Sequence, residues 1–364
     1  CDREGARGMR VAHFIDSLVL GGAETMLLDL VERMRARGTD ARIVHFGHRE
    51  LSAGCQARSI PQMHAPAHRD FKSFRRLPLF ARAFRRFLRE HRFELLHSHL
   101  FGAITGASLA ARSARIPHVG TLHDTHMVAD DPRRMWLLRS ASWLDTRLVS
   151  VSAEAREFYR GLGGLRRGDP LVIRNGVAPH SNGAVDDGRE NVRYISVGRL
   201  VPLKGFDRLI RAFSAMQGES KAELWIVGDG PERARLEALA RSLKANVVFL
   251  GLRDDVDELL ARSDVFVLAS ETEALSRSIL EAMAHRLPCV ATDVGGNHEL
   301  IIDRETGRLV ALEDEEELAR VLGELRDQPD LRKRLGRAGG ARILNELSLD
   351  QCVERYCELY AKLL

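Results

Sequence analysis

From Met9 onward, short apolar runs rich in β-formers alternate with amphipathic stretches of helical length. Runs that are apolar throughout have both faces covered, and intervening helices are the connections that parallel strands require. The pattern predicts strands at Arg10–Ile15, Ala41–Phe46, Phe93–Ser98, His118–Leu122, Thr146–Val151 and Leu171–Ile173, with helices at Ala23–Arg37, Arg75–His91 and Phe101–Ser113. A polar run, Pro179–Asn191, breaks the rhythm and reads as a linker. Beyond it, strands are expected at Val192–Val197, Ala222–Val227, Val247–Leu250, Val265–Leu268 and Cys289–Thr292. Helices are expected at Phe206–Met216, Pro231–Leu243, Val256–Arg262 and Ser278–His285, followed by three more at Glu315–Arg326, Leu331–Leu344 and Leu349–Leu363. The fold class is therefore α/β, with two successive Rossmann-like, doubly wound parallel-sheet domains facing a central cleft.

A length of 364 residues agrees with two cores rather than one. The expected division is 9–180, 181–345, and a last segment, 346–364, crossing back to the first domain. The first eight residues are expected to lie outside the fold. No run approaches 18 apolar residues and the start is polar, so neither a spanning helix nor a secretory signal is legible and a cytoplasmic location is expected. The five cysteines are odd in number, scattered and free of C-x-x-C spacing, which reads as reduced thiols.

The net charge of +4 does not by itself call for nucleic acid, and none is expected as a partner. Its distribution matters more: Arg69 to Arg92 holds nine Lys or Arg against Asp70 and Glu90, interleaved with Phe71, Phe74, Leu77, Phe80, Phe84, Phe87 and Leu88. A basic helix with an aromatic stripe suits an anionic membrane surface, which would make the protein peripheral to the inner membrane face. The competing reading is a core-packed helix with a solvated basic face.

Candidate chemistry sits where strands end. Gly21 and Gly22 follow the first strand and open a helix, either as a turn that receives anions, since helix N-termini present free N–H groups, or as an ordinary strand-to-helix turn. After the first strand of the second domain, Gly198-Arg199-Leu200-Val201-Pro202-Leu203-Lys204-Gly205 places Arg199 and Lys204 where open α/β sheets bind ligands, either as phosphate-binding cations or as solvated surface charge. Further on, Glu273 and Glu281 flank a strand-to-helix loop, and carboxylates accept from vicinal hydroxyls. Ser278 to Glu281 also spells S-x-x-E, so Glu281 could instead close a helix end in its first turn. Asp255-Val256-Asp257 matches a D-x-D metal motif but begins a helix, where acidic residues cap; it is read as structural, with no metal ligands assigned. His123, in Thr121-Leu122-His123-Asp124, falls at a strand end, either as a core histidine bonded to backbone or as a contact for sugar or acceptor.

These residues occur in one order with Leu96-His97-Ser98-His99, Val227-Gly228-Asp229-Gly230-Pro231 and Ala291-Thr292-Asp293-Val294-Gly295-Gly296. The ordered set resembles glycosyltransferase family 4, of the GT-B fold, over nearly all of Met9 to Leu363. The resemblance implies an acceptor domain followed by a nucleotide-sugar donor domain, retention at the anomeric carbon, and no cofactor. It assigns Gly21, Gly22, Arg199 and Lys204 to the donor diphosphate, Glu273 to the hexose and Glu281 to the ribose. It places His99 beside the transferred sugar and completes the donor contacts with Arg253, Ala274, Leu275, Ser276 and Ile279. His99, Arg199, Lys204 and Glu273 are the implied catalytic set. The family commonly has Glu-Gly where this chain has Glu273-Ala274, and Arg277 follows in a loop that shapes the sugar pocket. The implied partners are a nucleotide sugar, UDP-linked by preference, and a carbohydrate, lipid-linked or small-molecule acceptor. A GDP-mannose-dependent transferase, a nucleotide-sugar epimerase of the same fold and a non-enzymatic sugar-nucleotide binder are the alternatives.

Overall fold

The computed structural model describes residues 8–17, 21–71, 73–125, 128, 131–166, 168–180, 191–216 and 222–364. Most of the expected linker, 181–190, and residues 1–7 of the leader lie outside the described residues.

The chain forms two compact units, one made of Cys1–Asn175 with Leu349–Leu364 and the other of Gly176–Ser348. In the first, β1 (Arg10–Ile15), β2 (Asp40–His45), β3 (Gln62–His64), β4 (Leu95–His99), β5 (His118–Leu122), β6 (Thr146–Ser150) and β7 (Leu171–Val172) pair in parallel in the order β3-β2-β1-β4-β5-β6-β7. Helices α1 (Gly22–Ala36), α2 (Arg49–Ala57), α3 (His68–Phe71), α4 (Leu77–Glu90), α5 (Phe101–Ala114), α6 (Pro132–Trp143) and α7 (Ala153–Leu162) connect them. Alternate residues of β1 face opposite layers: Val11 and Ile15 join α1 in one core, while Ala12 and Phe14 join α4 and α5 in another.

The second unit has six parallel strands, β8 (Val192–Val197), β9 (Ala222–Val227), β10 (Val247–Gly251), β11 (Val265–Leu268), β12 (Cys289–Thr292) and β13 (Gly307–Val310), ordered β10-β9-β8-β11-β12-β13. Its helices are α8 (Phe206–Met216), α9 (Arg233–Ser242), α10 (Val256–Ala261), α11 (Arg277–Ala284), α12 (Asn297–Leu300), α13 (Glu315–Asp327) and α14 (Pro329–Glu346). The last helix, α15 (Leu349–Leu363), buries Val353, Tyr356 and Tyr360 in the first unit's core, at the i, i+3, i+7 spacing of one helix face. Asp350 at its start accepts from Arg33 and Arg37, each at 2.5 Å.

Much of the aromatic stripe of the basic segment turns inward. Phe80, Phe84 and Leu88 are buried, and Phe71 and Phe80 pack with Phe14 and Phe46, because α4 must cover its side of the sheet. What remains outside is cationic: Arg75, Arg76, Arg82, Arg85, Arg86, Arg89 and Arg92 are exposed beside Leu79. Helix α6 packs against α5, as α4 does, and exposes Trp136 and Trp143, 62% and 61% accessible. Among the described residues no helix is long and apolar enough to cross a membrane.

Candidate active site

Each sheet has one place where the chain reverses its direction of winding, between β1 and β4 and between β8 and β11, and open α/β sheets bind ligands beyond the strand ends at that point. The second unit's switch point is built by two loops. Gly205, at φ +59°, ends the short turn Pro202–Lys204, and a Cβ there would come within 2.0 Å of the Ala269 carbonyl, so only glycine permits the approach. The Glu271 amide donates to the Leu203 carbonyl at 2.9 Å. Across this contact Lys204 Nζ meets Glu273 Oε1 at 2.5 Å, and Ser270 Oγ donates to the same oxygen at 2.7 Å. Gly296 holds the loop from the other side, its amide donating to the Glu273 carbonyl at 3.1 Å. A Cβ on Gly295 would stand 1.7 Å from that carbonyl, which accounts for the Gly295-Gly296 pair.

Arg199 is exposed, and among the described residues its guanidinium has no ion pair. Glu281 is half-buried and accepts from Arg277 Nε at 2.7 Å. The capping-box alternative for Glu281 fails: α11 begins at Arg277, Ser276 Oγ accepts from the Ile279 amide at 3.4 Å, and Glu281 sits in the second turn. Arg277, expected in the loop, is helical, and its side chain is only 17% accessible. Of the other implied contacts, Ala274 is half-buried, while Leu275, Ser276 and above all Ile279 are core residues. Arg253 is exposed and engaged by Asp255 at 2.5 Å.

Asp255 precedes α10 but its carboxylate caps no backbone amide; its partner is Arg253. Asp257 Oδ1 lies 3.1 Å from His285 Nε2 and 3.5 Å from His180 Nε2, with the two rings stacked at 3.9 Å and 19°. His285 Nε2 donates to that oxygen, and the His180 ring stacks on His285.

In the first unit, α1 begins at Gly22 with Gly21 as its cap residue, and the Gly21 amide donates to Glu24 Oε2 at 2.7 Å. Both glycines are exposed. Side chains two apart on a strand share a face, so His97 and His99 on β4 join His13, which stands opposite His97 on β1, and His123 beyond β5. His13 Nδ1 is 3.1 Å from His99 Nε2, and His99 Nδ1 is 3.2 Å from His123 Nε2. His123 is thus bonded to a side chain rather than to backbone, and it is half-buried, whereas His99 is 1% accessible with both nitrogens engaged. His97 bonds Tyr360 at 2.6 Å and Thr121 at 2.7 Å, and Thr121 bonds Tyr356 at 2.9 Å. Burial disfavours the charged ring, pushing His13 down to about 3, His123 to about 4, and His97 and His99 well below the usual histidine range. The motif reading missed His13, Tyr356 and Tyr360, which only strand register and the return of α15 bring to this cluster.

Two family models match in succession. Residues 20–181 match Glycosyltransferase Family 4, and residues 187–342 match Glycosyl transferases group 1. The chain belongs to the family 4 type of glycosyltransferases. Among its relatives, the lipopolysaccharide core biosynthesis glycosyltransferase LpsE of Rhizobium meliloti is 36% identical over 169 residues, covering 46% of this chain and 49% of LpsE. The chain thus spans about half the length of that relative, and 44% of a Bacillus anthracis N-acetyl-alpha-D-glucosaminyl L-malate synthase that is 33% identical. LpsD of the same Rhizobium strain is 26% identical with 93% and 95% coverage. The fold is GT-B. The Anabaena protein HepE, solved with UDP and glucose, superposes with a TM-score of 0.85 at 22% identity, covering 98% of this chain and 100% of HepE.

Proposed function

We propose that this family 4 chain is a retaining hexosyltransferase, moving a hexose or N-acetylhexosamine from a nucleoside-diphosphate sugar to a hydroxyl of a glycan, lipid-linked or small-molecule acceptor. The observation that carries the reading is the exposed Arg199, without an ion pair among the described residues, near Lys204 at the second unit's switch point, with Lys204 already held by Glu273. Two cations there, one of them held in advance, suit a diphosphate whose negative charge grows as the glycosidic bond breaks. In this reading the bond from the anomeric carbon to the phosphate oxygen breaks, and the acceptor oxygen bonds the same carbon from the leaving-group face. The acceptor proton passes to a phosphate oxygen. No protein nucleophile takes part.

Glu281 is assigned to the ribose hydroxyls and the exposed Gly21–Gly22 turn to the diphosphate. For the sugar, His123 replaces His99 as the contacting ring, because both nitrogens of His99 are engaged. UDP is favoured because HepE was solved with UDP. GDP is the alternative, since a GDP-mannose-dependent mannosyltransferase of Corynebacterium glutamicum is 36% identical over 43% of this chain. The arginine face of α4, with Trp136 and Trp143, is assigned to a peripheral contact with an anionic membrane.

A thermal-shift panel of nucleoside diphosphates, followed by incubation of each stabilising nucleotide's sugars with and without acceptors, tests the reading. A ligand at 100 times its dissociation constant adds about 2.7 kcal/mol of stability. Stabilisation by GDP alone would move the donor to GDP-mannose. A donor isomerised without transfer would replace the transferase with an epimerase.

A further inference from the structure

His13, His99 and His123 lie end to end through two nitrogen-to-nitrogen contacts of 3.1 and 3.2 Å. Burial keeps all three rings neutral, so each carries one N–H. Each contact needs one hydrogen, which means that the middle ring donates through one nitrogen and accepts at the other. Only two arrangements satisfy both contacts. In the first, every N–H points away from His13, leaving His13 Nε2 bare and placing a hydrogen on His123 Nδ1. In the second, every N–H points towards His13, placing a hydrogen on His13 Nε2 and leaving His123 Nδ1 bare.

His13 Nε2 decides between them. It is buried and, among the described residues, has no hydrogen-bonding partner. The nearby His97 cannot serve, because its two nitrogens are taken by Tyr360 and Thr121. A buried N–H without an acceptor is rarer in folded proteins than an acceptor left bare, so the first arrangement is favoured. The His97 ring lies 4.0 Å from the His99 ring, tilted to it by 35°.

Resting on the sugar contact proposed above for His123, we infer that His13 is a positioning residue that, through His99, fixes His123 as a hydrogen-bond donor at Nδ1 towards a sugar oxygen. The three tautomers change together or not at all. His13 itself touches no substrate in this scheme.

The test is two-bond proton–nitrogen correlation NMR on histidine-labelled protein at pH 7.5, where the two tautomers give different patterns. The wild type should show His13 and His123 protonated on Nδ1. In His13→Ala, His123 should become a mixture of tautomers, and His13→Asn, whose amide can still donate to His99, should restore the wild-type pattern. With an accepted donor and acceptor, His13→Ala should lower kcat about three- to tenfold, the worth of one hydrogen bond, with donor KM within about twofold. Wild-type His123 protonated on Nε2 overturns the relay whether or not the variants fold, as does an unchanged His123 tautomer or unchanged turnover in folded His13→Ala. The expected tautomers in a protein that transfers no sugar would support the relay and remove only the transferase reading.

Discussion

Lys204 and Glu273 form an ion pair of 2.5 Å that bridges the loop after β8 and the loop after β11. Glu273 is 10% accessible and its Oε1 takes both Lys204 and Ser270, so the ammonium is held in place before any ligand arrives. An interaction organised in advance and strengthened as charge develops lowers the barrier rather than merely tightening binding.

Lys204→Ala should therefore reduce turnover at saturating donor by about a hundredfold or more, the usual effect of removing one preorganised charge contact, and Arg199→Ala, which removes a cation without an ion pair among the described residues, should reduce it by less. Only Lys204→Ala should also lose stability, by about 1–3 kcal/mol, because it leaves the Glu273 carboxylate without its cation. Steady-state kinetics and calorimetry check both. Normal turnover with a raised donor KM would reduce these cations to binding groups.

Glu281→Gln should weaken nucleoside diphosphate binding about tenfold through the two ribose hydrogen bonds. Stability should also fall, by about 1–3 kcal/mol, because Arg277, only 17% accessible, loses its carboxylate partner. Titration calorimetry with UDP and GDP separates the two effects. A variant that binds nucleotide normally would leave Glu281 as a helix ion pair only.

Stability should fall steeply in mild acid. His13 and His118 are held at about 3 by burial, against 6.5 for a free ring. Their folded values are depressed, so the unfolded chain takes up protons first. The contribution of the neutral rings is complete above pH 6.5 and is lost as the pH falls from there towards 3. The loss per ring approaches about 1.4 kcal/mol per pH unit. Melting curves from pH 7.5 to 5 should show it, and His118→Asn should flatten the slope; a wild-type melting temperature constant over this range would contradict the buried neutral rings.

The arginine face of α4 predicts salt-sensitive binding to vesicles containing anionic lipid and none to neutral vesicles. Arg82→Glu combined with Arg85→Glu should abolish flotation with the vesicles, and Trp136 or Trp143 emission should shift when they bind. Equal flotation with neutral and anionic vesicles would remove the charge argument.

Much of the fold was legible because buried parallel strands are apolar throughout. His118–Leu122, Val192–Val197, Val265–Leu268 and Cys289–Thr292 have the bounds that their apolar runs set. Helices α2, α3, α6, α7 and α12 and the short strands β3 and β13 escaped, since α6 mixes Arg133, Arg134 and Trp136 without a clear apolar stripe, α3 and α12 have four residues each and β3 is a three-residue edge. At the site, glycines and charges marked the loops but not their partners. The sequence offered Ser278 as a cap because it precedes Glu281 at the right spacing, whereas the loop held by Gly295 and Gly296 starts the helix two residues earlier, after Ser276. The destination of the aromatic stripe and the histidine chain depend on which strands neighbour one another, and periodicity along one segment carries no such information.

The central claim is transfer with retention from a nucleoside-diphosphate sugar, and proton NMR of the reaction as it proceeds tests it most directly. Purified protein is incubated with an α-linked UDP-hexose and an acceptor alcohol in the presence of EDTA, and the anomeric signals are followed from the first turnovers. The account predicts that UDP appears in step with a new α-glycoside, and that Lys204→Ala slows both signals together. A β-glycoside as first product, a donor sugar changed only at a ring carbon, or strict dependence on added magnesium or manganese would contradict it.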